Sequence, residues 1–541
     1  MTPRYRWTVL ANTTLAVLMS SINNTIVVIS LPAVFAGLKV DPTGGGQAGL
    51  LLWMMLGYTA VTTLCLLTFG RLGDIYGRVR VYNLGFVVFT LGSLLCAVTP
   101  SQGQLGVYEL IGFRMVQGMG GALTMSTSIA ILIDAFPLRE RGMAISLNQI
   151  AFIGGAVVGV VLGGLLAAVN WRLVFLASVP FGLGGSVWAL LAFKELGVRQ
   201  HEPPDWPGNL TFAAGLLAIL VAFTLALIPY GGFPMGWSNP LVPGLLVAGA
   251  MLLGLFAWIE SRVSHPMLDL SLLRIRAFLA GNLASMLWAL ARGGLNFMLV
   301  IWLQGVWLPL HGVPFAQTPL QAGLDTLPLM VGLAFFAPAG GVLGDRYGAR
   351  VLASVGLLVQ ALGFVLLATL PPDFGLPEFA FDLFLIGAGM GLFSAPNASQ
   401  VMSSVPAQHR GVAAGLRGIM VNTGMLASMA MFFTLVITGL SRTLPAALAT
   451  GLSGAGLPQA AAARAAEVPP GTAVFAAMLG YNPVAHLVPA GTLEALPPGV
   501  AARLTDPRFF SNLLAQPFDD ALRIGFAACV GLLVLSACAS L

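Results

Sequence analysis

Long stretches without a charged residue constrain this chain more than any other feature of its sequence. No Asp, Glu, Lys or Arg occurs within residues 7–38, 42–70 or 81–108. A helix needs about 20 mostly apolar residues to cross the core of a bilayer. Only 8% of the 541 residues are charged, against about 25% in ordinary soluble proteins, which is too few to cover a soluble fold. The sequence therefore predicts an all-α polytopic membrane protein.

The charge-free stretches divide the chain into fourteen predicted spans. One stretch is too long for a single helix, and the Pro and Gly residues of IPYGGFPMGWSNP (228–240) indicate a turn within it. We therefore expect a six-helix bundle in residues 1–200, two linker helices in 201–264 and a second six-helix bundle in 265–541. The second bundle includes a long outer segment, 441–517, before its last helix.

The distribution of Lys and Arg predicts which side of the membrane each loop faces. If the N-terminus is cytoplasmic, fifteen of these residues fall in inner segments and only Lys39 and Arg172 fall in short outer loops. Positive charge accumulates on the cytoplasmic side of membrane proteins. We therefore expect both termini on the cytoplasmic side of a bacterial plasma membrane. The first apolar run is too long for a cleavable signal peptide and is expected to remain as the first helix.

Two stretches of the sequence occur twice. GRLGDIYGRVR (70–80) is similar to GVLGDRYGAR (341–350), and FPLRERGMA (136–144) is similar to VPAQHRGVA (405–413). Both pairs are separated by nearly the same number of residues, and both copies lie on the predicted inner face. The repeat therefore predicts two parallel halves related by an axis along the membrane normal, an arrangement found in transporters.

The chain resembles the major facilitator superfamily, and within it the fourteen-helix drug:proton antiporter family of multidrug-resistance exporters. The resemblance rests on the loop 70–80, on LIGFRMVQGMGGA (110–122), on NNTIVVISLP (23–32), on NWRLVFLASVP (170–180) and on HPMLDLSLLRIRAF (265–278). It implies the major facilitator fold. It also implies a secondary transporter that works by alternating access, with export coupled to protons.

In that family the inner-loop motif locks the cytoplasmic side shut through contacts between charges and helix ends. The resemblance assigns this gating role to Gly70, Asp74, Gly77 and Arg78, and to Asp345 in the second copy. Opposite charge at helix ends is favourable by about 0.3–1 kcal/mol. The alternative is a plain connecting turn that the arginines hold on the cytoplasmic side.

Arg114 and Gln117 lie one turn apart on one face of the fourth helix. A charge inside a span usually faces a cavity or a partner, so we expect both side chains in a substrate and proton cavity; an arginine reaching the outer interface is the alternative. In the first helix, Asn23 stands where the family usually has an acid, followed by Asn24. Asn cannot titrate, so these side chains either bind substrate or join helices through hydrogen bonds.

Another carboxylate is then needed for proton coupling. Asp325, in the outer part of the tenth helix, is the predicted carrier, with a contact to Arg292 of the ninth helix as one arrangement. A solvated or structural carboxylate at the outer mouth is the alternative. Further polar or aromatic side chains expected in the cavity are Gln149, Trp288, Asn397 and Asn422.

Gly155, Gly159 and Gly163 recur every fourth residue in the fifth helix, on one face. Small residues at this spacing let helices approach closely, so these glycines predict a helix-packing surface. The family motif has Pro after the middle glycine, where this chain has Val160. The departure weakens the antiporter interpretation but leaves the packing interpretation intact.

The outer segment 441–517 is expected to contain short helices near 456–467 and 498–516. It either caps the outer mouth, lies on the membrane surface, or is only a compact connector.

The remaining function classes find no support in the sequence. There is no phosphate-binding GxxxxGK[ST] loop and no His–carboxylate cluster, so we expect no ATP, metal or other cofactor and no enzymatic activity. Nucleic acid is not an expected partner. We predict a monomeric exporter of hydrophobic or amphipathic drug-like compounds, lipophilic cations among them, with protons and membrane lipids as its other partners. The alternatives are a carrier of a lipid or endogenous metabolite with weak proton coupling, and a membrane receptor or assembly subunit that does not transport.

Overall fold

The computed structural model describes residues 2–40, 47–137, 140–195, 205–227, 237, 239–263, 270–405, 410–488 and 492–541. Within these ranges the regular structure is entirely helical. The backbone hydrogen bonds of a helix are formed within the helix itself, as a chain in the apolar core of a bilayer requires. Thirteen described helices are long and apolar enough to cross a membrane, or fourteen when the second, bent helix is counted as one span. The predicted all-α fold with fourteen spans is confirmed.

The first six spans follow one another with no more than eight residues between consecutive helices. The second span bends by 49° between Trp53–Leu66 and Thr68–Tyr76. Inner and outer faces are named here according to the orientation that Lys and Arg predict. The helices are α1 (Pro3–Leu38), α2 (Gln47–Tyr76), α3 (Arg78–Ala97), α4 (Gly103–Ala135), α5 (Arg141–Val169) and α6 (Trp171–Ala192).

Two linker helices, α7 (Trp206–Leu227) and α8 (Leu241–Glu260), follow the first six spans. They pack against each other, with the rings of Phe212 and Phe256 5.2 Å apart between centroids. On its other side α7 contacts α2 and the thirteenth span, so it lies along the seam between the two six-helix bundles.

The last six spans contain more interruptions than the first six. The ninth includes a π-helix at Trp302–Trp307, and the tenth is interrupted at Thr326. The helices are α9 (Arg276–Leu310), α10 (Thr318–Asp325 continued by Leu327–Tyr347), α11 (Ala349–Thr369), α12 (Leu376–Ser403), α13 (Arg410–Gly454) and α14 (Pro507–Ser540).

The same helix pairs recur in the two bundles. In the first, α1 packs on α5, α2 and α3 pack on α4, and α3 packs on α6. In the second, α9 packs on α13, α10 and α11 pack on α12, and α11 packs on α14. The recurrence follows the repeat in the sequence and gives the parallel halves. The predicted bundle boundaries lie within 196–204 and 264–269, outside the described residues, and remain a prediction.

Helices extend into the predicted outer segment 441–517 from both of its ends. Helix α13 continues to Gly454 and α14 begins at Pro507, which leaves residues 455–506 between them. Helix α13 extends because Leu444, Leu448 and Leu452 form a buried stripe at helical spacing. We call residues 455–506 the outer cap.

The outer cap is a compact set of short helices. Phe475 is fully buried between Phe297 of α9 and Phe433 of α13, at centroid distances of 6.4 and 5.4 Å. The cap therefore packs into the second bundle. Its helices are Gln459–Ala465, Pro470–Met478, Val484–Leu487 and Pro498–Thr505.

Candidate functional site

Arg114 lies at the centre of a polar cluster among apolar helices. Its side chain is 1% exposed. Nη1 donates to Asn23 Oδ1 at 3.2 Å and to Gln117 Oε1 at 2.8 Å, and Nε donates to the Met54 carbonyl at 3.5 Å. The guanidinium carbon lies 4.9 Å from the centroid of the Tyr58 ring. The side chain thus reaches from α4 between α1 and α2, and the predicted cavity residues Asn23, Arg114 and Gln117 meet.

The orientation of Gln117 is fixed by a further contact. Its Nε2 donates to Ser93 Oγ at 2.7 Å, so its Oε1 faces Arg114. Ser93 belongs to α3, and sequence reasoning missed it because a serine in a span carries no signal of its own. The cluster therefore joins four helices of the first half.

Three buried polar groups of this cluster lack a hydrogen bond of good geometry. Asn23 Nδ2, Tyr58 Oη and Ser20 Oγ lie close to one another, but none of them is well aligned with an acceptor. Each such group costs about 1–3 kcal/mol when desolvated. Among the described residues the charge of Arg114 faces only amides, a carbonyl and an aromatic ring. With Asn23 in place of the family's acid, this arginine has no counter-ion in the described part of the chain.

The second half carries a similar buried arginine. The Arg292 guanidinium carbon lies 4.4 Å from the centroid of Trp288, and Nη2 is 3.9 Å from Met425 Sδ. Its Nε is buried without a partner. Trp288 is held by a 3.0 Å hydrogen bond from its Nε1 to Gln360 Oε1. Among the described contacts, Arg292 has no bond to Asp325.

Asp325 lies instead beside its own helix neighbour. Gln321 Nε2 donates to Asp325 Oδ1 at 3.0 Å, and Oδ2 is buried without a partner. Two residues earlier, Gly323 packs directly against Val160 of α5. The carboxyl group therefore lies where the outer parts of the two halves touch.

The other predicted cavity residues are more scattered. Asn397 Nδ2 donates to Ser285 Oγ at 2.6 Å and to the Gly281 carbonyl at 3.2 Å, which joins α12 to α9. Asn24 and Asn422 are half-buried. The side chain of Gln149 lies outside the described residues.

The predicted gating residues form a charge network at the inner ends of α2, α3 and α4. Arg78 Nε donates to Asp74 Oδ1 at 2.8 Å, and its Nη1 donates to Asp134 Oδ2 at 2.6 Å. Gly77 and its counterpart Gly348 have φ of 110° and 93°, which favour glycine. The backbone of Gly70 faces Ser126 of α4, with 3.7 Å between an added Cβ and the Ser126 Cβ. The side chain of Asp345 lies outside the described residues.

Glu195 belongs to this network although its sequence context did not reveal it. Its carboxylate accepts from the backbone N–H groups of Arg78 at 2.9 Å and Val79 at 3.1 Å. These are unpaired donors at the start of α3, and a carboxylate there is favourable. A capping residue normally precedes its helix, so a cap supplied from beyond the end of α6 has no local signature.

The glycines of α5 face α1 at matching intervals. A methyl group built on each would lie 2.8–3.0 Å from a carbonyl oxygen of α1. Only glycine allows this approach, which is the packing geometry expected for small residues four apart. The facing pairs are Gly155 with Leu18, Gly159 with Ile22 and Gly163 with Ile26.

The two halves are in contact at the outer face. A Cβ on Gly164 of α5 would lie 2.6 Å from the Cα of Leu320 in α10, and α1 also contacts α9 and α10. The structure therefore describes a state in which the outer parts of α5 and α10 are closed against each other.

Comparison with known proteins places this geometry in a family. The model of the Major Facilitator Superfamily matches residues 13–429 and 284–498. The riboflavin transporter RibZ of Clostridioides difficile is 28% identical over 75% of this chain and 83% of its own. The tetracenomycin C resistance and export protein of Streptomyces glaucescens is 26% identical over 94% and 87%. A multidrug resistance protein B homolog of Mycobacterium tuberculosis is 30% identical over 79% and 76%.

Solved structures share the fold at low sequence identity. A bacterial homolog of the human lysosomal transporter Spinster, in an inward-facing conformation, aligns with a TM-score of 0.57 at 16% identity, covering 100% of this chain and 98% of its own. The inward-open xylose transporter XylE from Escherichia coli aligns with a TM-score of 0.52 at 16% identity, covering 79% and 89%. With the family match across most of the described spans, these findings show that the chain is a transporter of the Major Facilitator Superfamily.

Proposed function

We propose that this protein exports hydrophobic or amphipathic compounds across a bacterial inner membrane by alternating access, driven by proton antiport. The observation that carries the proposal is the Arg114 cluster, in which a buried guanidinium has only neutral partners among the described residues of an apolar bundle. Polar groups inside spans typically mark a transport pathway. Two relatives are named for multidrug resistance and for tetracenomycin C resistance and export, and these names also favour an exporter.

Alternating access requires contacts that break on one side at a time. The contact between Gly164 and Leu320 closes the outer side in the described state. At the inner side, the network of Asp74, Arg78 and Asp134 stays within the first half. We propose that rocking of α1–α6 against α9–α14 exchanges the outer contact for an inner one, with the inner-loop motif as part of the inner gate.

Asp325 is the proposed proton carrier. Asn23 cannot titrate, and Asp325 has a buried oxygen without a partner close to the Gly323–Val160 contact. A change in its protonation would alter the polarity of the closing surface itself. In this proposal, proton uptake from the outer side is linked to opening and closing of that side.

A second candidate function is a carrier of a lipid or endogenous metabolite with weak proton coupling. Two observations favour it, namely the apolar outer cap and the lack of an acid beside Arg114 in the described part of the chain. One relative is named a riboflavin transporter, which supports a metabolite as cargo. In both versions we propose a monomer with both termini in the cytoplasm and without a cofactor.

Transport by purified protein in proteoliposomes tests the proposal. We expect an imposed pH gradient to drive movement of Nile red, a neutral amphipathic dye, and Asp325→Asn to abolish the gradient dependence. Asp373→Asn is the matched control, because Asp373 is 90% exposed at the outer face. Flux that depends on the gradient equally in both variants would remove Asp325 from coupling. Flux without gradient dependence in the wild type would favour the uncoupled carrier.

A further inference from the structure

Three arginines lie within apolar spans, one in the first half and two in the second. Arg114 is on α4 between α1 and α2, Arg292 is near the middle of α9, and Arg417 is on α13. Helix α13 contacts α2, and α9 contacts α1. Both halves therefore hold buried positive charge, and the helices α1 and α2 that surround Arg114 contact the helices that carry Arg292 and Arg417.

None of the three arginines forms an ion pair among the described residues. Most carboxylates of the spans bond to other residues, and the Nε atoms of Arg292 and Arg417 are buried without an acceptor. A buried charge without a partner is costly. Binding of an anionic ligand beside such an arginine is therefore favourable. These carboxylates and their contacts are Asp74 and Asp134 with Arg78, Glu109 with Ser101, Asp325 with Gln321, Asp519 with Arg523 and Asp520 with Gln516, while Asp382 is buried in α12.

The Arg114 cluster has the donors that an acidic group requires. Asn23 uses its Oδ1 to accept from Arg114, which leaves its Nδ2 free to donate elsewhere. The Tyr58 ring packs against the same guanidinium, and its hydroxyl lies beside Ser20 and Asn23 without a well-aligned acceptor. Asn23 and Tyr58 are 0% and 4% exposed. A guanidinium, an amide N–H and a phenol together form a donor set for a carboxylate or sulfonate, and charge-assisted bonds of this kind are strong.

The same charges disfavour a cation. Like charges in a medium of low polarity repel more strongly than in water. The unpaired charge of Arg114 therefore lowers the affinity of the site for a cationic substrate. No carboxylate at the Arg114 cluster offsets this repulsion among the described residues.

We propose that the transported compound is an amphipathic organic acid whose carboxylate or sulfonate binds Arg114, Asn23 and Tyr58, with Arg292 and Arg417 adding to the positive field. This inference rests on the proposed export function and specifies the substrate class of that same site.

Two labelled probes of opposite charge test the inference in the proteoliposomes described above. Tritiated taurodeoxycholate is an amphipathic sulfonate, and tritiated tetraphenylphosphonium is a lipophilic cation. We expect the wild type to transport taurodeoxycholate in preference to the cation. Arg114→Gln should raise the KM for taurodeoxycholate about tenfold or more, the loss expected for one charge-assisted hydrogen bond, and Arg114→Lys should retain part of the affinity.

Asn23→Asp provides a sharper variant because it supplies the missing carboxylate. The new acid would pair with Arg114, so transport of taurodeoxycholate should fall while transport of tetraphenylphosphonium rises. Arg172→Gln is the matched control, since Arg172 also stacks on an aromatic ring, 4.6 Å from the Trp171 centroid, and donates to a carbonyl, but lies at the outer end of α6. Thermal melting and gel filtration of each variant separate misfolding from a loss of binding.

The outcomes distinguish the two levels of the proposal. Transport of the cation and not of taurodeoxycholate would overturn the acidic-substrate inference and leave export intact. Unchanged taurodeoxycholate transport in folded Asn23→Asp would also overturn it. If neither probe moves, the inference fails, and the Nile red assay decides separately whether the export function stands.

Discussion

Single polar residues stabilise this bundle through contacts that span the sequence. Glu195, just beyond the inner end of α6, caps the start of α3 with two backbone hydrogen bonds across 116 and 117 residues. Tyr5 makes a similar link, because its hydroxyl accepts from the Lys194 N–H at 3.0 Å. The inner ends of α1, α3 and α6 are therefore held together close to the gating network.

Glu195→Ala should lower the stability of the protein. It leaves two N–H groups at the start of α3 without acceptors, and loss of a helix cap costs about 1 kcal/mol. The melting temperature of the purified protein in detergent should fall, whereas Glu467→Ala, in the exposed part of the outer cap, should leave it unchanged. Equal melting temperatures for the two variants would show that the hydrogen bonds from the start of α3 to Glu195 do not contribute to stability.

At the scale of elements, the outer cap is the least ordinary part of the fold. Its helix Pro470–Met478 packs against the π-helix Trp302–Trp307, and a Cβ on Gly305 would lie 2.9 Å from the Met478 nitrogen. Ser511 Oγ also donates to the Gly305 carbonyl at 2.8 Å. A π-helix widens the turn of a helix and often marks a functional region. The cap is thus an integral part of the second bundle and not only a connector between α13 and α14.

Phe475→Ala tests this role of the outer cap. Removing a fully buried phenylalanine costs about 3–5 kcal/mol where the surroundings cannot collapse, and Phe475 lies between rings of α9 and α13. The variant should melt well below the wild type. Phe381→Ala is the control, because Phe381 is 58% exposed on the surface of α12. A melting temperature as high as that of the control would mean that the cap packs only loosely.

The sequence predicts the spans of this fold better than it predicts the contacts between them. The spans were predictable because charge-free apolar runs longer than about 20 residues are typical of membrane helices, and the Arg114–Gln117 bond follows from helical spacing alone. The Arg114–Asn23 contact depends on how α4 packs against α1, which no local pattern encodes. The continuation of α13 to Gly454 was not predictable, because the apolar helix runs on toward the outer cap without a change in composition.

At the scale of the whole molecule, the outer contact between α5 and α10 is the feature most directly tied to alternating access. It involves glycines from both halves, with Gly164 against Leu320 and Gly323 against Val160. Val160 stands where the family motif has Pro, so this chain closes its outer side with a valine packed against a glycine. These contacts at glycines contain no hydrogen bonds, so the two helices can separate without breaking one.

Gly164→Ala should therefore shift the protein toward its outward-open state. The added methyl group would meet the backbone of Leu320 at 2.6 Å, and overpacking of this kind costs about 1–3 kcal/mol. A bias of that size changes the ratio of two states by about 5–150-fold. The readout is the rate at which an impermeant maleimide, added from the outer side, labels Asn24→Cys in a background without native cysteines.

The control for this experiment lies on the same helix. Gly154→Ala adds the same methyl group at a position where it would meet nothing within 4 Å, so it should leave the labelling rate unchanged. A faster rate in Gly164→Ala alone would tie the α5–α10 contact to closure of the outer side. Equal rates in both variants would mean that this contact does not limit access. The outer cap or α1 would then close the pathway, because each of them also contacts helices of the opposite half.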